Sequence, residues 1–274
     1  MGHRAVTALP DARIQRMTER PAPFFYAADG DAFTPTGLAA SPWERGKQNG
    51  VALGGLLTHL VEQVPATVAM TTARLTIDIL SAADFAPTIG RARTVREGRR
   101  IQMVEAELLT GDRVVARATA LRVRKADTPM IATPNPYPPP EDVAPSDFMG
   151  DRAFGGSMET RLVRGGLRTR GPGTLWVRFA HEHVKGVALS PLLRTAILGD
   201  FGGGLGSEVD SEVWTYANLD IAVHLVREPV GEWLLIDART ASAGQGVGRS
   251  DMVLADRDGP FARAHQTLFI AARG

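Results

Sequence analysis

Along residues 216–226 apolar and polar side chains take turns. Leu219, Ile221, Val223 and Leu225 fall on one side, Asn218, Asp220, Ala222 and His224 on the other, which is the period of two of a half-buried strand. A second strand-like run, 233–241, follows the turn Glu228-Pro229-Val230-Gly231, so the pair reads as a hairpin. One face is apolar and the other carries an amide, a carboxylate and an imidazole. A polar face along a central hairpin must meet water, a partner or a site, and chemistry is sought there first.

The rest of the chain is organised in two similar halves. Residues 24–28 and 31–34 flank Asp29-Gly30, a hairpin signal. Val51, Leu53, Leu56, Leu57, Leu60, Val61 and Val64 then recur with helical spacing, predicting a helix over 51–63. Gly54-Gly55 inside it cost roughly 1 kcal/mol each relative to Ala, which points to close packing against a sheet or to a backbone that admits a ligand. Four strand-like runs follow at 71–80, 88–96, 100–109 and 114–124 with no second helix among them. A helix followed by an uninterrupted meander implies an antiparallel sheet with the helix across one face, an α+β arrangement.

Seven prolines between Asp127 and Phe148 mark an extended linker, and the plan then repeats. Strand-like runs at 161–167 and 174–179 precede a helix over 191–200 with Pro191 at its acceptable first position. Phe201-Gly202-Gly203-Gly204 breaks that helix, and strands are predicted at 216–226, 233–241, 248–255 and 261–271. The letters echo as well: 115–121 lies over 261–267, and 73–77 over 217–221. A duplicated unit of roughly 120 residues fits one domain each. The expected division is a leader at 1–20, an N-terminal unit at 21–127, a linker at 128–148 and a C-terminal unit at 149–274.

Composition narrows the function classes. With 31 Lys and Arg against 30 Asp and Glu among 274 residues, no global field favours nucleic acid or an anionic membrane. The absence of cysteine excludes a disulfide scaffold, thiolate zinc and a cysteine nucleophile. The first twenty residues hold no apolar h-region, and no run of about 18 apolar residues occurs, so a soluble, cytoplasmic protein without membrane insertion is expected.

Three side chains stand out where the halves differ. On the last strand Gln266 is the one polar member of a face shared with Ala262, Ala264, Leu268 and Ile270, and its repeat partner is Ala120. A buried amide costs a few kcal/mol unless matched, so the fold itself does not require it, although a neighbouring strand's backbone would also satisfy it. Asp200 shares the helical stripe of Leu193, Ala196 and Ile197 and sits at a helix C-terminus, where burial and the dipole both oppose ionisation. Such a carboxyl is a candidate general base, and equally a side chain that turns outward or caps the glycine turn after the helix. Asn218 stands where the first copy has Arg74. Together the three supply an acid-base group and two amides, enough to hold and activate one water. No serine sits in an elbow motif.

The doubled helix-then-meander plan, with Asn49-Gly50 followed by Gly54, then Ala217-Asn218-Leu219-Asp220, Arg227, Glu232-Trp233 and the terminal Gln266, resembles the acyl-CoA thioesterase II family. The resemblance implies a double hotdog. It also implies hydrolysis of fatty acyl-CoA to free fatty acid and CoA by a water held by an aspartate, a threonine and a glutamine of the second half. Carried over, the aspartate is Asp200, the glutamine Gln266, and the threonine position is occupied by Asn218. Backbone N–H groups near a helix N-terminus would polarise the thioester carbonyl, with Gly50 and Gly54 the nearest candidates or else packing glycines. Acyl-CoA is then the expected partner, no cofactor or metal is called for, and a homo-oligomer of double hotdogs is expected.

The remaining features read as follows. Arg91, Arg93, Arg96, Arg99 and Arg100 around a hairpin are either a CoA phosphate site or, more in keeping with such runs, a charged strand edge. His181-Glu182-His183 lacks a third ligand and reads as surface histidines. Gly202-Gly203-Gly204 follows a helix, against a dinucleotide loop. Two other functions compete: a non-catalytic acyl-CoA or acyl-binding hotdog protein, and a hotdog hydratase or dehydratase, for which His59 has only Glu62 beside it.

Overall fold

The computed structural model describes residues 23–131, 133–150 and 155–273; the expected leader at 1–20 lies outside the described residues. The first half opens with the hairpin β1 (Phe24–Asp29) and β2 (Ala32–Pro35), followed by α1 (Gly50–Gln63) and the meander β3 (Met70–Ile79), β4 (Thr88–Arg96), β5 (Ile101–Thr110) and β6 (Arg113–Arg124). The second half contains β7 (Met158–Arg164), β8 (Gly173–Phe179), β9 (Glu182–Val184), α2 (Pro191–Gly199), α3 (Gly202–Leu205), β10 (Trp214–Asn218), β11 (Asp220–Leu225), β12 (Trp233–Ser242), β13 (Val247–Asp256) and β14 (Gly259–Ala272). This is an α+β protein in which few helices lie on a large sheet.

All the strands join one sheet. In the first half the spatial order is β1-β2-β4-β5-β6-β3 and in the second β7-β8-β12-β13-β14-β11. The halves therefore share one strand order, and they meet where β3 and β11 pair antiparallel with Ile77 opposite Ile221. Short β9, which sequence periodicity does not mark, crosses over to pair in parallel with β1 at the far edge of the first half.

Helix α1 is apolar nearly all round, because it packs on β4, β5 and β6 as well as on α2. Its glycines have different reasons. The His183 ring occupies the space where a Gly55 Cβ would stand, within 2.2 Å, whereas Gly54 meets Ile77 Cδ1 at an ordinary 3.5 Å. His183 is itself buried and stacks on Phe25 at 4.8 Å. Its Nε2 lies 2.9 Å from the Ala52 carbonyl oxygen, and burial pulls its pKa down to about 4. A neutral ring with that partner donates through Nε2. The surface-histidine reading is thus corrected: β9 carries His183 into the core.

The proline-rich linker is extended but docked. Tyr137 and Val143 pack with Trp176, Leu235 and Ala255 in a small cluster apart from the main core. Trp176 Nε1 donates to the Pro138 carbonyl at 3.0 Å, and Arg161 donates to the carbonyls of Pro140 and Val143. Proline-flanked carbonyls serve here as acceptors for the side chains of β7 and β8.

The predicted strand at 216–226 is broken by a β-bulge. Asn218 pairs with Leu268 and Ala222 with His265, so Leu219 and Asp220 together oppose Thr267. The extra residue resets the alternation. Asn218 therefore shares the inner face with buried Ile221 and Val223, and Leu219 is 44% exposed. The expectation that Asn218 lies on the face opposite Ile221 is corrected accordingly. The first half bulges at the matching place, with Thr72 opposite Arg122 and Arg74 opposite Leu121. The register then makes Thr72 the counterpart of Asn218, where the letter echo had suggested Arg74, while Ala120 remains the counterpart of Gln266.

Candidate active site

Helix α2 starts on a Ser190 cap, whose hydroxyl accepts from the Leu193 N–H, with Pro191 at its first turn. It ends at Asp200, whose N–H reaches the carbonyls of Ile197 and Leu198. The glycines after it do more than break the helix. Phe201 leads into α3, a second short helical turn laid directly on the strands. A Cβ on Gly202 would fall 2.3 Å from Met252 Sδ and 2.8 Å from Ser250 Oγ, and one on Gly203 would fall 3.0 Å from Asn218 Oδ1. Only glycine permits this approach, which brings the end of α2 down onto β10, β13 and β14.

At that junction the three sequence candidates converge. The Asp200 main-chain carbonyl, unpaired at a helix end, accepts from Asn218 Nδ2 at 3.0 Å and Gln266 Nε2 at 3.1 Å. Asn218 Nδ2 also lies 3.1 Å from Asp200 Oδ1. The Gln266 Oε1 accepts from the Gly203 N–H at 2.8 Å, and this glutamine is 1% exposed. The amide of Gln266 is thus matched by helix-end backbone, and not by a neighbouring strand.

Asp200 turns inward. Burial raises its carboxyl pKa from 3.8 to about 6, against the opposing hydrogen bond from Asn218. Its Oδ2 has no hydrogen bond from a described residue, so it is the oxygen left for a proton from elsewhere. The carboxylate faces the first half: a Cβ on Gly50 would sit 2.7 Å from Asp200 Oδ1. Gly50 is the first residue of α1. Asn49 caps that helix, its Oδ1 accepting from the Ala52 N–H at 2.8 Å while its Nδ2 donates to the carbonyls of Leu38 and Ala40. Gln48, buried, accepts from the Tyr26 hydroxyl and donates to Asp84 O and Thr88 Oγ1. Gln48-Asn49 therefore fixes how α1 begins, and the Gly50 and Val51 amides are left outside the helix's own ladder.

Of the two glycine candidates, the structure brings Gly50 to the carboxylate and leaves Gly54 on Ile77. Four residues further on, Gly54 is about 6 Å along the helix axis, and its face meets β3.

Other motif residues hold the frame. Arg227 forms a bidentate pair with buried Asp256, at 2.5 and 2.7 Å. Trp233 lies under Arg161 and Arg178, the latter also paired with Glu232. His265 is exposed on the opposite face, bonded to Asp251. Glu62 hydrogen-bonds Ser190 rather than His59, whose ring stands edge-on to Phe33. Among the described residues no cluster of metal-binding side chains occurs, and no helix is long and apolar enough to cross a membrane. Sequence reasoning missed Ser250. It is buried, paired in register with Gln266, and its Oγ has no hydrogen-bond partner among the described residues; its place on the alternating inner face of β13 was the available signal.

Residues 39–123 match the acyl-CoA thioesterase N-terminal domain and residues 136–270 the acyl-CoA thioesterase C-terminal domain. No curated protein matches the chain in sequence. Solved structures match in fold. A conserved protein with the hot dog fold from Alicyclobacillus acidocaldarius has a TM-score of 0.72 at 18% identity, covering 91% of this chain and 96% of that one. The tesB protein of Mycobacterium avium subs paratuberculosis has a TM-score of 0.64 at 14% identity, covering 90% and 96%. The acyl-CoA thioesterase II TesB2 of Mycobacterium marinum has a TM-score of 0.62 at 19% identity, covering 82% and 91%.

Proposed function

We propose that this chain, which belongs to the acyl-CoA thioesterase family, hydrolyses fatty acyl-CoA through a water activated by Asp200. The observation that carries this reading is the inward carboxyl of Asp200, raised to about 6, bonded by the Asn218 amide and set against the start of α1, while Gln266 bonds the Asp200 main-chain carbonyl. A base with a pKa near working pH is ionised yet basic enough to take a proton. Asp200 Oδ2 accepts a proton from water as the water oxygen bonds to the thioester carbon. The Gly50 and Val51 N–H groups face the developing oxyanion at a positive helix end. Collapse breaks the C–S bond, and the thiolate recovers the proton from Asp200, releasing CoA and the fatty acid. Asn218 and Gln266 position the carboxylate and its water.

The shared strand order of the halves supports a double hotdog, in which the second half supplies the acid and both amides and the first supplies the helix N-terminus. A hydratase is disfavoured by Glu62 pairing with Ser190 instead of His59. The non-catalytic acyl-binding reading retains one observation in its favour, that both site amides already bond the Asp200 carbonyl.

Thiol release from acyl-CoAs of graded chain length separates these readings. The wild type is expected to turn over at least one, and Asp200→Asn to lose at least about 100-fold while still folded. Saturable acyl-CoA binding without turnover at any length sinks hydrolysis in favour of binding. Full turnover by Asp200→Asn moves the base elsewhere.

A further inference from the structure

The constellation around Asp200 has a counterpart across the seam between the halves. As Asp200 at the end of α2 abuts the start of α1, so Glu62 on the last turn of α1 abuts the start of α2. Its Oε2 accepts from the Ser190 hydroxyl at 2.7 Å, the same hydroxyl that caps α2. Strand register extends the correspondence, since Thr72 takes the place of Asn218 beside the matching bulge and Ala120 the place of Gln266. Here, however, the structure is open. A cavity of about 250 Å³ is lined by Glu62, Thr72, Arg122, Leu192, Leu225 and Glu228 among others.

We propose that this cavity is a second acyl-thioester site, one that holds the ligand without hydrolysing it. The assignment of thioester as its ligand class rests on the reading of the Asp200 site given above. Leu192 and Leu225, with Met70 and Pro191, give an apolar wall for the acyl group. Thr72 and Glu62 supply polar contacts for the thioester carbonyl and the amides of the pantetheine arm. Burial raises the Glu62 carboxyl, against its bond with Ser190, so a proton donor is more available there than on an exposed glutamate.

The same comparison explains why hydrolysis does not follow. Ala120 offers no amide where Gln266 does. Pro191, first in α2, has no N–H where Gly50 has one, so a carbonyl at this helix end meets the Leu192 N–H without a second neighbour. Arg122 does not replace them. Its guanidinium is committed to the carbonyls of Val61 and Val64 and to Gln102, closing the end of α1.

The probe is an S-alkyl-CoA thioether, which cannot be hydrolysed, titrated calorimetrically into the full chain. The wild type is expected to bind two molecules per chain. Ala66→Trp, a substitution at an exposed residue lining the cavity, and Thr72→Trp are each expected to bind one, with kcat/KM for acyl-CoA hydrolysis kept within about twofold. One molecule per wild-type chain alongside Asp200-dependent hydrolysis overturns the second site and leaves the hydrolysis reading intact, as does a stoichiometry of two that neither tryptophan lowers. Two molecules per chain, one lost in each tryptophan variant, in a protein without turnover supports the second site and overturns hydrolysis instead.

Discussion

Asp200→Asn is expected to stabilise the protein while it abolishes turnover. Folding encloses the carboxyl and raises its pKa from 3.8 to about 6, so the folded state binds the proton more tightly than the unfolded chain. Below about pH 4 both states hold the proton and no penalty arises. As pH climbs from about 4 to 6 the unfolded chain ionises first and stability falls; above about 6 both are ionised and the loss is complete. At 1.36 kcal/mol per unit, the shift of about two units costs about 3 kcal/mol. Asparagine keeps an oxygen for the Asn218 Nδ2 contact and carries no charge to bury. Its advantage is therefore absent at about pH 4 and reaches about 3 kcal/mol at pH 8, several degrees in Tm for a chain of this size. Thermal unfolding of both proteins across pH 4 to 8 measures it, and the wild-type kcat/KM should rise with pH through about 6 in parallel. A variant no more stable than wild type at pH 8, or one with an equal advantage at pH 4, refutes the claim that burial has raised this carboxyl.

Further outcomes follow from the same contacts. Gly50→Ala places a Cβ 2.7 Å from Asp200 Oδ1, so the carboxylate must shift and kcat is expected to drop at least about tenfold with little change in stability, read by steady-state kinetics and urea unfolding. Gly202→Ala brings a methyl within 2.3 Å of Met252 Sδ and is expected to cost about 1–3 kcal/mol of overpacking in urea unfolding. Asn218→Leu removes the hydrogen bond that holds the Asp200 pKa down, so the acid limb of the kcat/KM profile should move to higher pH; a shift to lower pH contradicts the assigned contact. Gln266→Ala orphans the buried Gly203 N–H, with an expected stability loss of about 1–3 kcal/mol.

Much of the fold is legible in the chain because its periodicities are strong. The stripe from Val51 to Val64 gives α1 nearly to the residue, and the β3–β6 meander falls within a residue or so of its observed ends. The inward Asp200 and the buried Gln266 are legible for the same reason, since each sits on a face otherwise apolar. What escapes the pattern depends on contacts distant in sequence. Nothing in Ala217-Asn218-Leu219-Asp220 marks a bulge, as Leu219 keeps the alternation while its backbone pairs with Thr267 and Ile79. The echo of letters set Arg74 against Asn218, two residues away from Thr72, because backbone register and not side-chain likeness defines the counterpart. His183 misleads through its charged neighbours, because three residues pairing with β1 are too few to show a period.

Both halves carry the bulge at the same place, and both set an acid at one helix end against the start of the other helix. The bulge and the antiparallel helix pair are thus properties of the fold, and by themselves select no chemistry. The difference lies in side chains at matched positions. Asn218 and Gln266 give the second half two amides on the Asp200 main-chain carbonyl, Asn218 also reaching the carboxyl, where Thr72 and Ala120 leave Glu62 to the serine cap of α2. Gly50 gives the facing helix an N–H and no Cβ, whereas Pro191 has a ring and no N–H. Since Asp200 comes from one half and Gly50 from the other, the proposed hydrolytic site depends on the two helices lying side by side, and the seam between the halves is what brings its parts together.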